Sequence, residues 1–248
     1  MILALAARVR GLEEAGQCLI LGFKTMEITL PCPAGQAEED RYRELALHHG
    51  LSYLAHGPEE GDPRDLEHLE KEYLPRVERA VQAAAGLGCL GLTIHFWLEP
   101  RWLKPEVIDR KIKLLSEAAS WGRRWGVPVN LENLSESWAA LEPVMSSIPD
   151  LGLTLDLGHA QLLRKENASL DIIEHFFDRI RHIHLHDNQG GDSPRDDLHL
   201  PPGQGAVPFQ AIFTELKKRG YRGTATLELK PSQLVEARDW VAKVWAGS

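Results

Sequence analysis

Short apolar runs alternate with longer amphipathic runs eight times along this chain, and that rhythm restricts the folds open to it. Strand-like runs fall at 2–6, 26–30, 51–56, 91–96, 128–132, 152–156, 180–186 and 224–229. Helix-like segments occupy 11–21, 40–49, 64–85, 105–125, 137–147, 169–178 and 208–219, and 233–245 closes the chain. Strands separated by helical crossovers lie parallel, because each crossover returns the chain to the same end of the sheet. Eight such units close into a barrel at about 250 residues, and the chain has 248. An open doubly wound sheet would call for GxGxxG or GxxxxGK after a strand, and neither follows any strand here. The expected fold is α/β, a (β/α)8 TIM barrel, as a single domain over 1–248 without linker or low-complexity tract.

Side-chain phase within the runs sharpens this expectation. Successive strand residues point to opposite faces. Leu151, Leu153, Leu155 and Leu157 share one face, while Gly152, Thr154 and Asp156 take the other. Thr224, Thr226 and Glu228 oppose Ala225, Leu227 and Leu229 in the same way. Gly91, Thr93 and His95 oppose Leu92, Ile94 and Phe96; Pro128, Asn130 and Glu132 oppose Val129 and Leu131; Ser52, Leu54 and His56 form a weaker copy. The leucine faces belong against helices and the lean rows toward the barrel axis. Each lean row ends in a carboxylate or an imidazole, at the rim where such barrels gather catalytic groups.

The densest stretch is 180–205, where His182, His184 and His186 share a face and Asp197 and His199 follow in the next loop. Asp156 and His159 form a DxxH in which the turn brings the imidazole back toward the strand end. The expected rim set is His56, His95, Glu132, Asp156, His159, His184, Asp197, His199 and Glu228. Singly, each has a plain structural reading, as a hydrogen-bonded histidine or a carboxylate paired with arginine. Together, four carboxylates and five histidines crowded without cations would be costly. Imidazoles mixed with carboxylates suit zinc or manganese rather than magnesium or calcium. Nine donors exceed one ion's needs, so one to three divalent ions are expected, with Glu132 or Glu228 bridging.

Charge narrows the partners. The net charge of −8 and the lack of any basic run are a poor start for gripping DNA or an anionic membrane. The apolar run at the start is too short for a membrane span and lacks a small-residue cleavage site, so it reads as a first strand and helix. Cys18, Cys32 and Cys89 form no CxxC pair, which fits a reducing, cytoplasmic setting.

The segments HGP, LENL, LDLGHA, HLHDN, DLHLPPGQG and LELK resemble the xylose isomerase-like TIM-barrel superfamily. The resemblance spans essentially the whole chain and is most specific over 132–228. That group contains sugar-phosphate isomerases and epimerases, ketose 3-epimerases, hydroxypyruvate isomerases and endonuclease IV. In the epimerase branch, the resemblance implies that Glu132, Asp156, His184 and Glu228 hold one ion. Glu132 and Glu228 then flank the substrate as the acid/base pair, with His159 a third catalytic candidate. In the endonuclease IV branch, all nine donors match that family's three-zinc site.

The two branches imply different chemistries. In the first, the ion chelates a carbonyl and a neighbouring hydroxyl, and one glutamate removes a proton that the other returns. In the second, a metal-bound hydroxide attacks phosphorus. Against DNA stands the acidic loop GPEEGDPRDLEHLE after His56, where the endonucleases' HxPYxxN-like continuation is absent. The family's usual Gly-Glu-Gly also reads Gly203-Gln204-Gly205. The expected activity is therefore metal-dependent isomerisation or epimerisation of a sugar or sugar phosphate. An endonuclease IV-like multi-zinc phosphodiesterase is the alternative, and a metal-binding barrel without turnover a third reading.

Trp97, His186 and Asn188 are expected on the substrate side, whereas Trp102 and Trp138 read more readily as packing. Asp187 and Asn188 are also candidates for bracing neighbouring imidazoles, and Lys230 has two equal readings, a contact to a substrate phosphate or a solvated strand-end lysine. The expected partners are a small sugar or sugar phosphate and, where copies associate, a second copy of the chain. Neither nucleic acid nor membrane is expected.

Overall fold

Each apolar run becomes a strand, and each strand pairs in parallel with its sequence neighbours. These are β1 (Ala4–Val9), β2 (Thr25–Thr29), β3 (Ser52–His56), β4 (Leu92–Ile94), β5 (Val129–Glu132), β6 (Gly152–Asp156), β7 (Ile180–Leu185) and β8 (Thr224–Leu227). They follow one another round a closed barrel in which β8 pairs back onto β1. The computed structural model describes residues 3–248; residue 2, where the first apolar run begins, lies outside the described residues. Around the barrel run α1 (Leu12–Ile20), α2 (Gln36–His49), α3 (Leu66–His68), α4 (Leu74–Leu87), α5 (Pro105–Trp125), α6 (Trp138–Ser147), α7 (Ser169–Phe176), α8 (Phe209–Lys218) and α9 (Leu234–Gly247). Among the described residues, no helix is long and apolar enough to cross a membrane.

Local chemistry sets the helix limits. α5 opens on Pro105, whose fixed φ suits the first helical turn, and stops at Gly126 in the left-handed region (φ 72°). α2 begins four residues before the periodic run because Glu38 reaches back to accept from the Ala34 N–H at 3.2 Å. The single run 64–85 is interrupted by a π-helical turn at Leu69–Tyr73 between α3 and α4. That turn places the Tyr73 hydroxyl 2.5 Å from the His95 carbonyl oxygen, to which it donates. Irregular turns of this kind are frequent near functional sites.

The two strand faces behave as their phase demands. Leu151, Leu153, Leu155 and Leu157 are fully buried between sheet and helices, and each contributes about 1.5–3 kcal/mol of transfer free energy. The inward rows pair polar with polar: Thr93 and Thr154 share a 2.8 Å hydroxyl hydrogen bond inside the barrel. Asp156 is in register with His184, and His184 with Thr226. A one-residue slip would turn the leucines inward and the donors outward.

Candidate metal centre

β5, β6 and β7 and the residue just beyond β8 deliver one donor each to a single point. His184 Nδ1 lies 3.2 Å from Glu132 Oε1, 3.6 Å from Asp156 Oδ2 and 3.7 Å from Glu228 Oε1. All four side chains are buried. Neither His184 Nδ1 nor Glu132 Oε1 makes a hydrogen bond, although both are shut away from solvent. A ring nitrogen facing three carboxylate oxygens, without a bond aligned between them, matches the donor shell of a cation better than an ion pair. On its other side, His184 Nε2 lies 3.1 Å from Glu27 Oε1.

Two further donor groups adjoin this one. Glu132 turns its second oxygen, Oε2, to His95 Nε2 at 3.0 Å and His56 Nε2 at 3.5 Å. His159 Nδ1 approaches Glu132 Oε1 at 3.1 Å, and His159 Nε2 lies 3.2 Å from Asp197 Oδ2. His199 Nε2 reaches the same Asp197 oxygen at 3.1 Å. Glu132 therefore touches each group, as a bridging carboxylate would. Eight of the nine expected donors fall in small groups whose ligand-capable atoms lie within 4.8 Å of one another, and His95 joins them through Glu132.

The same fold recurs in known proteins. The family model described as a xylose isomerase-like TIM barrel matches residues 17–244. The chain belongs to that family. Among its relatives, the fructoselysine 3-epimerase of Shigella flexneri is 25% identical, over 79% of this chain and 74% of its own. An uncharacterised protein of Methanocaldococcus jannaschii is 27% identical over 77% of this chain; the match spans 66% of that relative's length. A D-tagatose 3-epimerase-like protein superposes with a TM-score of 0.82 at 21% identity, covering 98% of this chain and 97% of its own. A Thermus thermophilus protein, solved after soaking with ZnCl2, gives 0.79 at 22% identity and covers 99% of both chains. These structural likenesses establish the fold of this xylose isomerase-like barrel.

Within this family member, the residues expected beside the donors take distinct places. His186 is fully buried; its Nε2 lies 3.0 Å from Asp156 Oδ1, and its ring stacks on His199 at 3.9 Å. Asn188 is also fully buried and its amide is spent. It donates to the Gly158 carbonyl and to Asp197 Oδ1, both at 3.1 Å, and accepts from the Leu198 N–H at 2.6 Å. Asp187 braces backbone rather than imidazole, accepting from the N–H groups of Asn188, Gly203, Gly205 and Val207 at 2.8–3.0 Å. That clamp folds the loop so that Asp197 and His199 meet His159. His199 itself sits in the left-handed region (φ 46°), a strained conformation that only a well-held loop maintains. Trp97, two residues beyond His95, donates its ring N–H to Ser135 Oγ at 2.8 Å and stacks on half-exposed Trp102. Trp138 instead stacks on His175 between α6 and α7.

Three buried polar residues, Glu27, Arg8 and Lys111, carry no motif that singles them out in the sequence. Glu27 bridges His184 and His182 beneath the mouth, and Arg8 Nε lies 3.5 Å from Glu228 Oε1. Lys111, fully buried on α5, places Nζ 2.5 Å from Glu60 Oε1 and 2.6 Å from the Trp97 carbonyl. His182, on the same face as His184, sits one layer deeper, between Thr224 and Thr226.

Burial and mutual attraction oppose each other throughout this centre. Burial disfavours the charged form of Glu132, yet His184 and His95 outweigh it and hold the carboxyl well below the usual range. Asp156 and Asp197 are likewise lowered against burial, by His159 with His186 and by His159 with His199. Burial would neutralise His184 and His159, but Glu27 and Glu228 for the first and Asp156 for the second hold them well above their ordinary value. His56 goes the other way, lowered by burial and then by Arg8. Protonated imidazoles and a bound divalent ion are alternative sources of the positive charge these carboxylates require. A cavity of about 700 Å³, lined by Met145, Pro149, His175, Arg179 and Arg219, lies instead at the N-terminal ends of β6–β8. Its Arg179 is spent on the carbonyls of Met145, Ile148 and Leu151.

Proposed function

We propose that this protein is a metal-dependent isomerase or epimerase acting on a small sugar or sugar phosphate. The observation that carries the reading is the unbonded His184 Nδ1 set among carboxylate oxygens of Glu132, Asp156 and Glu228. The epimerase activity named for the Shigella relative supports it. A divalent ion such as zinc or manganese, bound by these four residues, supplies Lewis acidity to a carbonyl and its neighbouring hydroxyl. Glu132 and Glu228 arrive from β5 and from just beyond β8, so a carbon bound between them meets a carboxylate from either strand. One glutamate takes the proton of that carbon and the other returns it. Against burial, His184 favours the ionised, proton-accepting form of Glu228, with Arg8 Nε 3.5 Å away, and His159 can hold a proton beside Glu132 Oε1. The stacked Trp97 and Trp102 offer an apolar face to a sugar at the rim. Three buried free cysteines suit a reducing cytoplasm.

A second reading, hydrolysis of a phosphodiester or small phosphoester, is favoured by one observation. The His56–His95 and His159–Asp197–His199 donors exceed what a one-ion epimerase uses, and Glu132 touches both groups. Protein purified without chelator should be assayed for metal content, for turnover of ketoses and ketose phosphates, and for cleavage of abasic duplex DNA and a simple phosphodiester. Ketose turnover that chelation abolishes supports the first reading. Phosphodiester cleavage without ketose turnover refutes it.

A further inference from the structure

We infer that Glu27 is a positioning residue that fixes which nitrogen of His184 carries the proton, and thereby sets how tightly the Glu132–Asp156–His184–Glu228 group holds a divalent cation. The inference rests on the metal-dependent reading above.

Glu27 stands on β2, fully buried one layer below the mouth. Its two oxygens divide between two imidazoles: Oε1 lies 3.1 Å from His184 Nε2, and Oε2 lies 3.2 Å from His182 Nε2. An ionised carboxylate only accepts hydrogen bonds, so both Nε2 atoms must present N–H to it. His182 is locked from its other edge, with Nδ1 2.7 Å from Thr224 Oγ1, and Thr226 Oγ1 stands 2.9 Å from its Nε2. His182 therefore cannot turn away and release Glu27. With Nε2–H committed below, the neutral His184 ring keeps its lone pair on Nδ1, the atom directed at the three rim carboxylates.

Glu27, His182 and His184 are themselves close enough to suggest an ion site. Their hydrogen bonds argue for a support instead. Both Nε2 atoms are partnered in that layer, whereas His184 Nδ1 above is not. A carboxylate behind a ligating histidine orients the ring and raises its basicity, and its loss typically weakens metal affinity about 10- to 100-fold.

The test uses the full chain, zinc and a chromophoric chelator in competition. Glu27→Gln keeps the side-chain shape but removes the charge, and should weaken one class of bound zinc by about 10-fold or more. Zinc held by His159, Asp197 and His199 should be unaffected. Thr226→Val, which removes a hydroxyl bonded to His182 and not to His184, should change zinc affinity far less than Glu27→Gln does. On the unaltered protein, nitrogen-15 NMR should find His184 protonated at Nε2 and ligating zinc through Nδ1. Unchanged zinc affinity in Glu27→Gln, or zinc on His184 Nε2, overturns the role of Glu27 while leaving the metal-dependent reading standing. An unaltered protein that binds no divalent metal overturns both.

Discussion

Lys111→Met probes the scaffold behind the mouth without touching a candidate ligand. The lysine is fully buried, and its ammonium lies 2.5 Å from Glu60 Oε1, 2.6 Å from the Trp97 carbonyl and 3.2 Å from the Pro63 carbonyl. Burial pushes the ammonium toward neutrality, and Glu60 opposes that shift. Methionine replaces the stem but not the charge, so Glu60 is left buried with the Trp97 N–H at 2.8 Å as its remaining partner. Breaking a buried pair from one side costs about 3–5 kcal/mol. At about 2–4 °C per kcal/mol for a chain of this size, Tm should fall by about 6–20 °C. Adding Glu60→Gln removes the stranded charge and should recover much of the loss, giving a strong coupling in the double-mutant cycle. Thermal and urea unfolding of the four proteins measures both quantities. A loss below about 1 kcal/mol, the scale of an exposed pair, would refute the reasoning. So would strict additivity.

Four other expectations follow from the site. Because His159 and His184 are held above their ordinary value and metal ligation takes neutral imidazole, zinc binding at pH 7 should release protons. Calorimetry in two buffers of different ionisation enthalpy would detect this, and zero release would refute it. The same raised imidazoles contribute stability that is complete below their unfolded value of about 6.5 and is lost as pH rises through the folded values. The depressed carboxyls of Glu132, Asp156 and Asp197 contribute stability above about 4 that is lost as pH falls. Chelator-treated protein should therefore melt lower as pH rises from 7 to about 9, while zinc-loaded protein holds its Tm; equal slopes would count against this. Gly205→Ala puts a Cβ 2.3 Å from Asp187 Oδ1 and 2.5 Å from the Asn188 carbonyl oxygen. It should strip metal from the His159–Asp197–His199 group first, as metal analysis would show. Trp97→Phe deletes the bond to Ser135 while keeping an aromatic face; urea unfolding should read a stability loss of about 1 kcal/mol.

Which parts of this molecule could be read from its sequence follows from where each partner sits. His56, His95, Glu132, Asp156 and Glu228 were legible because each closes a lean row, whereas His159, Asp197 and His199 stood out by their spacing in the turn and loop that follow. α5 was legible to the residue because Pro105 and Gly126 punctuate it locally. The π-helical turn was not, since periodicity over 64–85 continues through it and only the meeting of Tyr73 with the distant His95 carbonyl shows its use. Lys111 was not legible for the same reason, and Glu60 reads only as part of an acidic loop until the fold buries one against the other. Glu27 is more instructive. Thr25, Glu27 and Thr29 form a lean row against Met26 and Ile28, the same pattern that flagged five other strands. The charge falls in the middle of that row, because Thr29, not Glu27, is in register with His56 at the rim. Looking for donors at strand ends finds what an ion touches, whereas the groups that aim those donors lie one layer deeper. A buried carboxylate at mid-strand, on the inward phase, is the signal for them. Arg8, in register with Glu27 on β1 and reaching Glu228, obeys the same rule.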